Sequence, residues 1–429
     1  MILRDPVHGL VSFEAPEERI VTMLMDTAEV QRLRRVRQLG VTALAFPGAE
    51  HTRFGHAVGS AFVMKRLLAR LRDLDDELPP AQRVTEARAQ DALAAALLHD
   101  VGHGPLSHLF EDAVRGIPHH EEWTARIVLD PSTEVHRVLR SFDAEMPERV
   151  AGLVAGHYPV AYLAKAVSGT FDVDRCDYLL RDAYSTGVRY GVFDLDWLLR
   201  SLRFAPRGTS DAAPALAIDG AKGLPAIEAF ILARLFMFQQ IYLHKATRAA
   251  EWMIRAALGR ASRLVSEGVE LPGVPAAIRG ASRGEAYTLE DYLALDDGVL
   301  AGAMVAWERG SHGPLADVCR RVRRRELYKT LELFGEHAAA PGREAALASA
   351  RAVAERRGYD GEMYVGLDVA EDTPFDGEDE PLVVYAKGKA RPLSEVSFLL
   401  GRLRGQTLSR TRLIFAAELR DEIVQAVGV

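Results

Sequence analysis

The sequence predicts a mainly α-helical protein, with β structure confined to a small hairpin insertion and a small C-terminal lobe of mixed α and β structure. Apolar residues recur at helical spacing over most of the first 335 residues, with few breakers inside each stretch. Short alternating runs at 202–204 and 216–218 predict the hairpin. From about residue 360 the pattern changes to β-like runs, at 363–369 and 382–385.

The helical elements follow one another along the chain with short interruptions. The predicted helical segments are 16–40, 56–74, 85–99, 121–130, 133–141, 146–166, 173–185, 224–266 and 315–335. The first ends at Gly40, where a glycine can close a helix. Residues 206–211, rich in turn formers, are predicted to connect the two hairpin strands, and the Gly- and Pro-rich residues 267–285 are predicted as a surface loop.

Two structural units are expected. We predict a large helical unit over 1–340 and the small α+β lobe over 341–429. The acidic stretch at 371–380 is interpreted as a solvated loop, because runs of like charge are usually exposed.

Composition limits the classes of protein to consider. With 429 residues and 48% hydrophobic content, the chain can bury a large core without staples, and two cysteines provide no disulfide framework. The formal net charge of −7 makes nucleic acid an unlikely partner. The N-terminus is polar almost at once, and no apolar run approaches the roughly 20 residues that span a bilayer. We therefore expect a cytoplasmic protein without a membrane partner.

Histidines are concentrated in one region. Seven of the 13 lie between His51 and His120, and such clusters suggest metal or acid–base chemistry. The polar motifs of interest are HTRFGH at 51–56, LHDVGHGPLSH at 98–108, HHE at 119–121 and DVDRCDY at 172–178. A His-Asp pair alone arises about once by chance in a chain of this composition. The prediction of a functional site at His99-Asp100 therefore depends on the surrounding motifs.

A metal site is the chemistry that these motifs favour. His99-Asp100 closes the apolar helical run 92–98 just before Gly102 and Gly104, so both side chains are offered at a helix end. Two imidazoles and two carboxylates would satisfy one octahedral metal and leave two positions for water and phosphate. The candidate ligands are His56, His99, Asp100 and Asp174. This ligand set suits one divalent transition metal, Mn, Fe, Ni or Zn, better than Ca.

Taken together, the motifs resemble the HD-domain deoxynucleoside triphosphate triphosphohydrolases. The segments that carry the resemblance include DT at 26–27, QRLR at 31–34, RQLG at 37–40, FPGA at 46–49, the two His-rich motifs, DRCDYLLRDAY at 174–184 and YLHK at 242–245. The resemblance covers most of 1–260 and, more weakly, the C-terminal lobe. It implies an HD-domain catalytic core with a helical extension over 1–340, and the same four metal ligands.

The resemblance also implies roles for further residues. His103, His108 and His120 would act on the phosphates, with Glu111 supporting the proton donor His120. Gln38, Leu39, Tyr178 and Asp182 would contact the sugar. The cations available to balance the triphosphate are Arg53, Arg175, Arg234 and Lys245. Asp174, Tyr178 and Asp182 are spaced to share one helix face, and Arg234, Tyr242 and Lys245 are expected to share another.

The implied reaction converts a deoxynucleotide to a deoxynucleoside and tripolyphosphate, with Mg accompanying the nucleotide phosphates. Asp26, Gln31 and Arg34 match positions that hold an activating guanine nucleotide, dGTP or GTP, between subunits of the resembling enzymes. A homo-oligomer, dimer or tetramer, is therefore expected. Gln31 and Arg34 are three residues apart, so they share a helix face.

Two residues depart from the family pattern, and two alternative functions are kept open. Glu111 stands where animal members of the family have Asp, and Phe238 stands where they have His, which bears on substrate specificity. One rival is an HD-type phosphodiesterase or nucleotidase acting on another nucleotide. The other is a nucleotide-sensing or nucleic-acid-binding module with little turnover.

Overall fold

The fold was analysed in a computed structural model, which describes residues 1–205, 214–376, 380–385 and 389–428. The predicted hairpin turn at 206–211 lies outside the described residues, as does part of the acidic stretch at 371–380. Within the described residues the chain is mainly α-helical with small sheets, which confirms the predicted fold class.

The first half of the chain is almost entirely helical after a short N-terminal hairpin. Its helices are α1 Arg19–Met25, α2 Ala28–Arg32, α3 Arg53–Arg72, α4 Glu86–Leu98, α5 His108–Ala113, α6 His120–Leu129, α7 Glu134–Phe142, α8 Met146–Val154, α9 Ala161–Val167, α10 Val173–Thr186 and α11 Leu195–Arg200. Short 3-10 turns lie at Pro16–Glu18, Leu33–Arg35, Thr42–Leu44, Asp75–Glu77 and Pro80–Gln82.

The second half mixes helices with short strands. Its helices are α12 Leu224–Met237, α13 Lys245–Ser266, α14 Ala276–Arg283, α15 Leu289–Leu293, α16 Asp297–Glu308, α17 Gly313–Arg323, α18 Ala340–Arg356, α19 Gly361–Tyr364, α20 Leu393–Val396, α21 Phe398–Leu403 and α22 Arg420–Val427. A π-helical turn occupies Phe238–Tyr242, and 3-10 turns lie at Gly335–His337 and Ala417–Leu419.

The strands of the described residues form three small sheets. They are β1 Ile2–Asp5, β2 Gly9–Ser12, β3 Leu202–Phe204, β4 Leu216–Asp219, β5 Lys329–Leu333, β6 Val365–Asp372, β7 Leu382–Val384, β8 Arg391–Pro392 and β9 Leu408–Phe415. β1 and β2 pair as the N-terminal hairpin, and the other sheets have the orders β3-β4-β7-β8 and β5-β9-β6. The predicted hairpin β3–β4 is confirmed, with Arg203 opposite Ala217.

Strand pairing joins segments that are distant in sequence. β4 pairs in parallel with β7, with Ile218 opposite Val383, and β5 pairs antiparallel with β9, with Leu331 opposite Leu413. Strands on either side of residue 340 thus share both larger sheets. The division at residue 340 stays a prediction.

Several predicted helices are interrupted or wrongly bounded. The segment 16–40 is not one helix: Thr27 has extended backbone angles, and the chain after Arg35 runs irregularly to Gly40, whose φ is +50°. Breaks also separate α8 from α9 and α12 from α13. Local periodicity missed these breaks because buried side chains on successive short helices keep the same apolar spacing.

Two other predictions gave the wrong type of secondary structure. The predicted loop 267–285 contains α14, which buries Ala277 and Ile278 in the core. The predicted helix 315–335 ends at Arg323, and its last residues form β5. Pairing with β9 overrides the local pattern of β5, because strand pairing depends on residues far along the chain.

The buried apolar side chains form two clusters. One is built on α3 and α4 and extends through α10 to α12, and the other surrounds α13 and includes α5, α14 to α18 and the sheet β5-β9-β6. In the described residues, Leu224–Tyr242 is the one helical segment with the length and composition to cross a bilayer. It carries Glu228 and Arg234, and its Phe230 is buried in the first cluster. We interpret α12 as a core helix.

Candidate active site

The four predicted metal ligands meet where three helices pack together. His56 lies in the first turn of α3, His99 and Asp100 follow the last residue of α4, and Asp174 lies in the first turn of α10. The Nε2 atom of His56 is 3.2 Å from Nε2 of His99 and 3.0 Å from a carboxylate oxygen of Asp174. Asp100 oxygens lie 3.7 Å and 3.6 Å from the two imidazoles.

These separations fit one cation. Ligands at about 2.1 Å from an octahedral ion lie about 3 Å from their neighbours, close to the 3.0–3.7 Å found here. The donor atoms of His56, His99 and Asp174 all lie within 4.8 Å of one another. Imidazole nitrogens combined with carboxylate oxygens are ligands that first-row transition metals accept. The residues present therefore fit a divalent transition metal.

Both imidazoles present Nε2 to this centre because their Nδ1 atoms have other partners. Nδ1 of His56 lies 2.8 Å from an oxygen of the buried Asp177, and Nδ1 of His99 lies 3.0 Å from the carbonyl oxygen of Ala96. A carboxylate or carbonyl oxygen only accepts, so Nδ1 carries the proton in each ring. Nε2 is then the ring nitrogen that can bind a cation.

Negative charge is concentrated at this centre. Burial alone would lower the pKa of His56, but Asp174 and Asp177 outweigh it and raise the pKa to about 10. Burial would raise the pKa of Asp174, yet His56 and His99 lower it. A cation that binds here must displace a proton from imidazole.

Arg53 joins the metal centre to the following loop. Its guanidinium pairs with Asp100 in a buried ion pair, and its Nε donates to the hydroxyl of Ser107 at 2.9 Å. Burial would raise the pKa of Asp100, but Arg53 and then His99 hold it well below its usual range. Asp100 is therefore ionised, as a metal ligand needs to be.

The loop between Asp100 and α5 has a strained backbone. Leu106 and Ser107 have φ values of 55° and 57°, which residues with a side chain rarely adopt. The N–H of Leu106 donates to Asp297 at 2.9 Å, and both terminal nitrogens of Arg32 donate to the carbonyl of His103, at 2.8 Å and 2.7 Å. These contacts hold the strained segment in place. Strain of this kind is typical of functional sites.

A second cluster surrounds the buried carboxylate of Glu111. Nδ1 atoms of His103, His108 and His120 lie 3.6, 3.5 and 3.4 Å from its oxygens, and Nδ1 of His119 lies 3.3 Å away. Burial would raise the pKa of Glu111, but His103, His108 and His120 outweigh it and lower the pKa. The three predicted catalytic histidines are thus brought together around the anionic carboxylate of Glu111, the fourth predicted catalytic residue.

The two clusters are contiguous. Nε2 of His103 lies 3.3 Å from an oxygen of Asp100. Residue 102 is glycine because a Cβ there would overlap the carbonyl oxygen of His120 and the backbone nitrogen of Thr124. The Thr124 hydroxyl accepts from the Gly102 N–H at 3.1 Å. The start of α6 can therefore approach the end of α4, which places His120 beside the metal centre.

The predicted sugar-contacting residues lie together beside α10. Asp174, Tyr178 and Asp182 belong to one helix, as their spacing predicted. The two oxygens of Asp182 accept from His51 Nε2 and from the Tyr242 hydroxyl, each at 2.7 Å. The Tyr178 ring lies 6.4 Å from both the His56 and the Tyr242 rings.

Gln38 and Leu39 complete this group. The backbone N–H of Gln38 donates to the carbonyl of His51 at 3.0 Å, which ties the irregular segment after α2 to the start of α3. Oε1 of Gln38 is buried and has no hydrogen-bond partner in the described part of the chain. Leu39 is half-buried against the first core cluster. A buried acceptor without a partner suits a ligand hydroxyl.

Arg175 and Arg234 are engaged with protein groups. Arg175 pairs with Asp172, and Arg234 lies 3.2 Å from an oxygen of Asp372 and donates to the carbonyls of the next two residues. Both guanidiniums lie near Tyr178: burial and Asp174 raise the pKa of Tyr178, and the two arginines oppose the rise. Both arginines therefore lie close enough to Tyr178 for their charges to act on it.

Lys245 lies apart from the other predicted cations. The expectation that Arg234, Tyr242 and Lys245 share one helix face was wrong, because the π-helical turn ends at Tyr242 and His244 begins a new helix. The Lys245 side chain is exposed and lines a separate cavity of about 610 Å³ with Arg321, Arg325 and Lys329 among its walls.

The three predicted activator residues lie at the end of α1, in α2 and in the 3-10 turn that follows α2. Asp26 is exposed at the C-terminal end of α1. Gln31 and Arg34 contact each other, since Nε of Arg34 donates to Oε1 of Gln31 at 2.8 Å. The Arg34 guanidinium carbon also lies 3.6 Å from the centroid of the Phe54 ring, next to the site residue Arg53.

Sequence reasoning missed four polar residues of the site, Asp177, His51, His119 and His8. The first three lie inside the polar motifs, and they received no role because motif positions alone do not show which side chains meet. His8 lies far from these motifs in sequence, yet its Nε2 is 2.7 Å from Asp177. The signal available for His8 was the segment DPVHG at 5–9, a polar turn between two short apolar runs.

Comparison with known proteins places this geometry in a family context. Residues 53–181 match the family model described as HD domain. Protein YwfO of Bacillus subtilis is 34% identical over 427 residues, an alignment that covers 97% of this chain and 92% of YwfO.

Two further similarities are informative. A protein of Dictyostelium discoideum named deoxynucleoside triphosphate triphosphohydrolase SAMHD1 homolog is 29% identical over 289 residues, covering 63% of this chain and about half, 52%, of its own length. The crystal structure of a phosphohydrolase from Bacteroides thetaiotaomicron aligns with a TM-score of 0.81 at 27% identity, covering 97% of this chain and 99% of that one.

Proposed function

The chain belongs to the HD-domain phosphohydrolase family, and from that premise we propose that it hydrolyses deoxynucleoside triphosphates to a deoxynucleoside and tripolyphosphate. The observation that carries the proposal is the 3.3 Å contact between His103 and Asp100, which makes the metal-ligand set and the histidine set one continuous surface. The name of the Dictyostelium relative supports the same substrate class.

His56, His99, Asp100 and Asp174 would hold one divalent transition metal. When bound, such an ion stabilises the negative charge that develops on a phosphoryl group during hydrolysis. Arg53, Arg175 and Arg234 add positive charge around it. Each is paired with an aspartate, so a triphosphate would compete with those carboxylates for the guanidinium groups. Mg would enter with the nucleotide.

The histidine cluster would supply the proton that the departing 5′ oxygen needs. Water adds its oxygen to the α-phosphorus and the bond from phosphorus to the 5′ oxygen breaks, so the 5′ oxygen must receive a proton. His120 would supply it as general acid, because its imidazole lies 3.4 Å from the carboxylate of Glu111 and stacks on His103, which contacts the metal-ligand candidate Asp100. Glu111, with His108, holds the ring in orientation. The water supplies the proton that restores His120.

The sugar would lie against α10. The free Oε1 of Gln38 and the carboxylate of Asp182 are acceptors for the 3′-hydroxyl, and Leu39 and Tyr178 restrict space at the 2′ position. Polar groups left unpaired by a wrong sugar cost binding energy, so this pocket would favour deoxyribose. Phe238, whose ring lies 4.9 Å from that of Tyr242, borders the same group and would influence substrate choice.

Regulation and assembly form part of the proposal. A guanine nucleotide, dGTP or GTP, would bind at Asp26, Gln31 and Arg34 and activate a homo-oligomer. The Arg34–Phe54 contact supports this, because it links the activator residues to the residue preceding Gly55 and His56 in α3. We place the protein in the cytoplasm.

Product analysis tests the proposal. The Mn²⁺-loaded protein is incubated with each dNTP, alone and in pairs, and with nucleoside monophosphates and cyclic nucleotides, with His99→Ala as the metal-site control. We expect deoxynucleoside and tripolyphosphate in equal amounts from the wild type only. Conversion of a cyclic nucleotide to its linear monophosphate would favour the phosphodiesterase alternative, and release of phosphate from a monophosphate would favour the nucleotidase alternative. Nucleotide binding without any product would favour a sensing module.

A further inference from the structure

A buried carboxylate behind the metal centre connects it to the N-terminal hairpin. Asp177 has no exposed side-chain surface, and His56 Nδ1 lies 2.8 Å from its Oδ2. Arg181 donates to both oxygens, at 2.8 Å and 2.9 Å. The remaining partner is His8, whose Nε2 lies 2.7 Å from Oδ1. Asp177 therefore accepts from one metal-ligand candidate and one residue of the hairpin.

The ionised state of Asp177 fixes the direction of these hydrogen bonds. The Arg181 guanidinium donates to both of its oxygens, so the buried carboxylate is paired with a group that is always positively charged. An ionised carboxylate only accepts, so His8 must donate through Nε2–H. Oδ1 accepts from His8 and Arg181, and Oδ2 accepts from His56 and Arg181. The hydrogen bond from His8 therefore helps to fix how Asp177 is oriented toward His56.

His8 is held in place from three sides. The carboxylate of Asp5 accepts the backbone N–H groups of Val7 and His8, both at 2.9 Å, and its second oxygen accepts from Arg181 at 2.8 Å. The His8 ring centroid lies 5.6 Å from that of Phe62 in α3. The side chain of His8 is 3% exposed. The turn between β1 and β2 therefore positions a buried hydrogen-bond donor beside Asp177.

Space for this arrangement depends on α3. A Cβ at Gly59 would overlap Oδ1 of Asp177 and a terminal nitrogen of Arg181. Gly59 lies just under one turn after His56, so the helix that carries the ligand also makes room for its carboxylate partner. The hydrogen-bond chain from His8 to His56 is thus enclosed by three elements, the hairpin turn, α3 and α10.

We propose that His8 is a positioning residue of the metal centre: it fixes Asp177, and through Asp177 the tautomer and orientation of His56. The inference rests on the metal centre of the proposed function and not on its substrate. Partners of a metal-bound imidazole typically contribute 10- to 100-fold to metal affinity. The N-terminal hairpin is then part of the metal site, although none of its residues is a candidate ligand.

The test compares Mn²⁺ affinity across variants of the full chain. His8→Leu removes the donor at similar size, and His8→Gln retains an N–H donor. His136→Leu is the matched control, because His136 is equally buried and hydrogen-bonded, to the Val128 carbonyl, away from Asp177. Dissociation constants are measured by calorimetry, and the melting temperature is measured without metal.

We expect His8→Leu to weaken Mn²⁺ binding by about 10-fold or more, His8→Gln to recover most of the affinity, and His136→Leu to bind as the wild type does. If His8→Leu does not fold, His8→Asn takes its place, because its amide is too short to reach Asp177 and should also weaken binding.

Two results would overturn the proposal: wild-type affinity in His8→Leu or His8→Asn, or a His8→Gln variant as weak as the one without a donor. Binding of Mn²⁺ requires no nucleotide, so the outcome is independent of the substrate. A protein that binds Mn²⁺ through this network yet cleaves no dNTP would refute the proposed function and leave the role of His8 intact.

Discussion

The imidazole rings of His103 and His120 are stacked, with centroids 3.7 Å apart and planes inclined by 11°. Two positively charged rings at this distance would repel each other, so the pair can hold one proton far more easily than two. Burial and the nearby Arg53 lower the pKa of His103 to about 4, which keeps its ring neutral near pH 7. The neutral His103 ring therefore stacks on the imidazole that the proposed function uses as general acid, His120.

Replacement of His120 should therefore slow catalysis without removing the metal. We expect His120→Ala to lower kcat by roughly 10²–10⁴, the range for a lost general acid, with Mn²⁺ stoichiometry unchanged. His157→Ala, at an exposed histidine outside the cluster, serves as the control. Unchanged turnover in His120→Ala would remove this residue from the mechanism.

Loss of a metal ligand should abolish both metal binding and activity. His99→Ala removes one imidazole at the end of α4 and should leave the protein folded but without bound Mn²⁺. Asp100→Ala should do the same at a larger cost in stability, because it also leaves the buried Arg53 without its partner. Metal content by elemental analysis, with circular dichroism for folding, checks both. One full equivalent of metal with normal turnover in either variant would contradict the assignment.

Metal binding should strengthen as the pH rises. Without a cation the pKa of His56 is about 10, and a cation binds only the neutral imidazole, so each ion displaces a proton below that pH. Raising the pH removes the competing proton, and the Mn²⁺ dissociation constant should fall by up to about 10-fold per pH unit between about pH 6 and pH 8. Calorimetry in buffers of different ionisation enthalpy would count the released proton. A dissociation constant independent of pH would show that no proton is displaced.

Two helical glycines should respond oppositely to alanine. Gly59→Ala places a Cβ against Asp177 and should destabilise the protein by about 1–3 kcal/mol and weaken Mn²⁺ binding. Gly259→Ala in α13 meets no atom within 4 Å and should stabilise it by about 0.5–1 kcal/mol, because alanine loses less entropy in a helix. Denaturant unfolding of both variants measures the difference, and similar stability changes at the two positions would contradict the packing argument.

Arg34 should matter for activation and not for metal binding. Hydrolysis of dATP, dCTP or dTTP is measured with and without dGTP or GTP, with sedimentation to follow assembly. We expect activation of the wild type, and Arg34→Ala to lose it while keeping bound Mn²⁺, because its guanidinium contacts Gln31 and Phe54 but no candidate metal ligand. Equal rates and an unchanged oligomer in the wild type at saturating guanine nucleotide would defeat the activator proposal.

The parts of the site that were predictable are those encoded by local motifs. His99 and Asp100 follow an apolar helix and precede two glycines, and Asp174 lies in the first turn of another helix. These three ligands could therefore be predicted from the sequence. Asp177 was not, because α10 carries several acidic residues and only the packing of α3 and the hairpin shows which one supports His56.

In the fold, too, the elements encoded by local sequence were predicted and those decided by distant contacts were not. Long periodic segments such as α3 and α13 were predicted as helices, whereas β5 was assigned to a helix because its partner β9 lies far along the chain. The π-helical turn at Phe238–Tyr242 could not be anticipated either, since one extra residue per turn leaves no clear mark on an apolar pattern. Tertiary contacts decided each of these elements.

The parallel pairing of β4 with β7 has a consequence for how the protein is made. A ribosome releases β4 about midway through synthesis, with β3 on one side and its other edge unpaired until residues 382–384 emerge. An open strand edge is a template for unwanted pairing with other chains. The nascent protein thus carries an aggregation-prone edge through much of its elongation, and a ribosome that stalls before β7 would leave an intermediate in need of a chaperone.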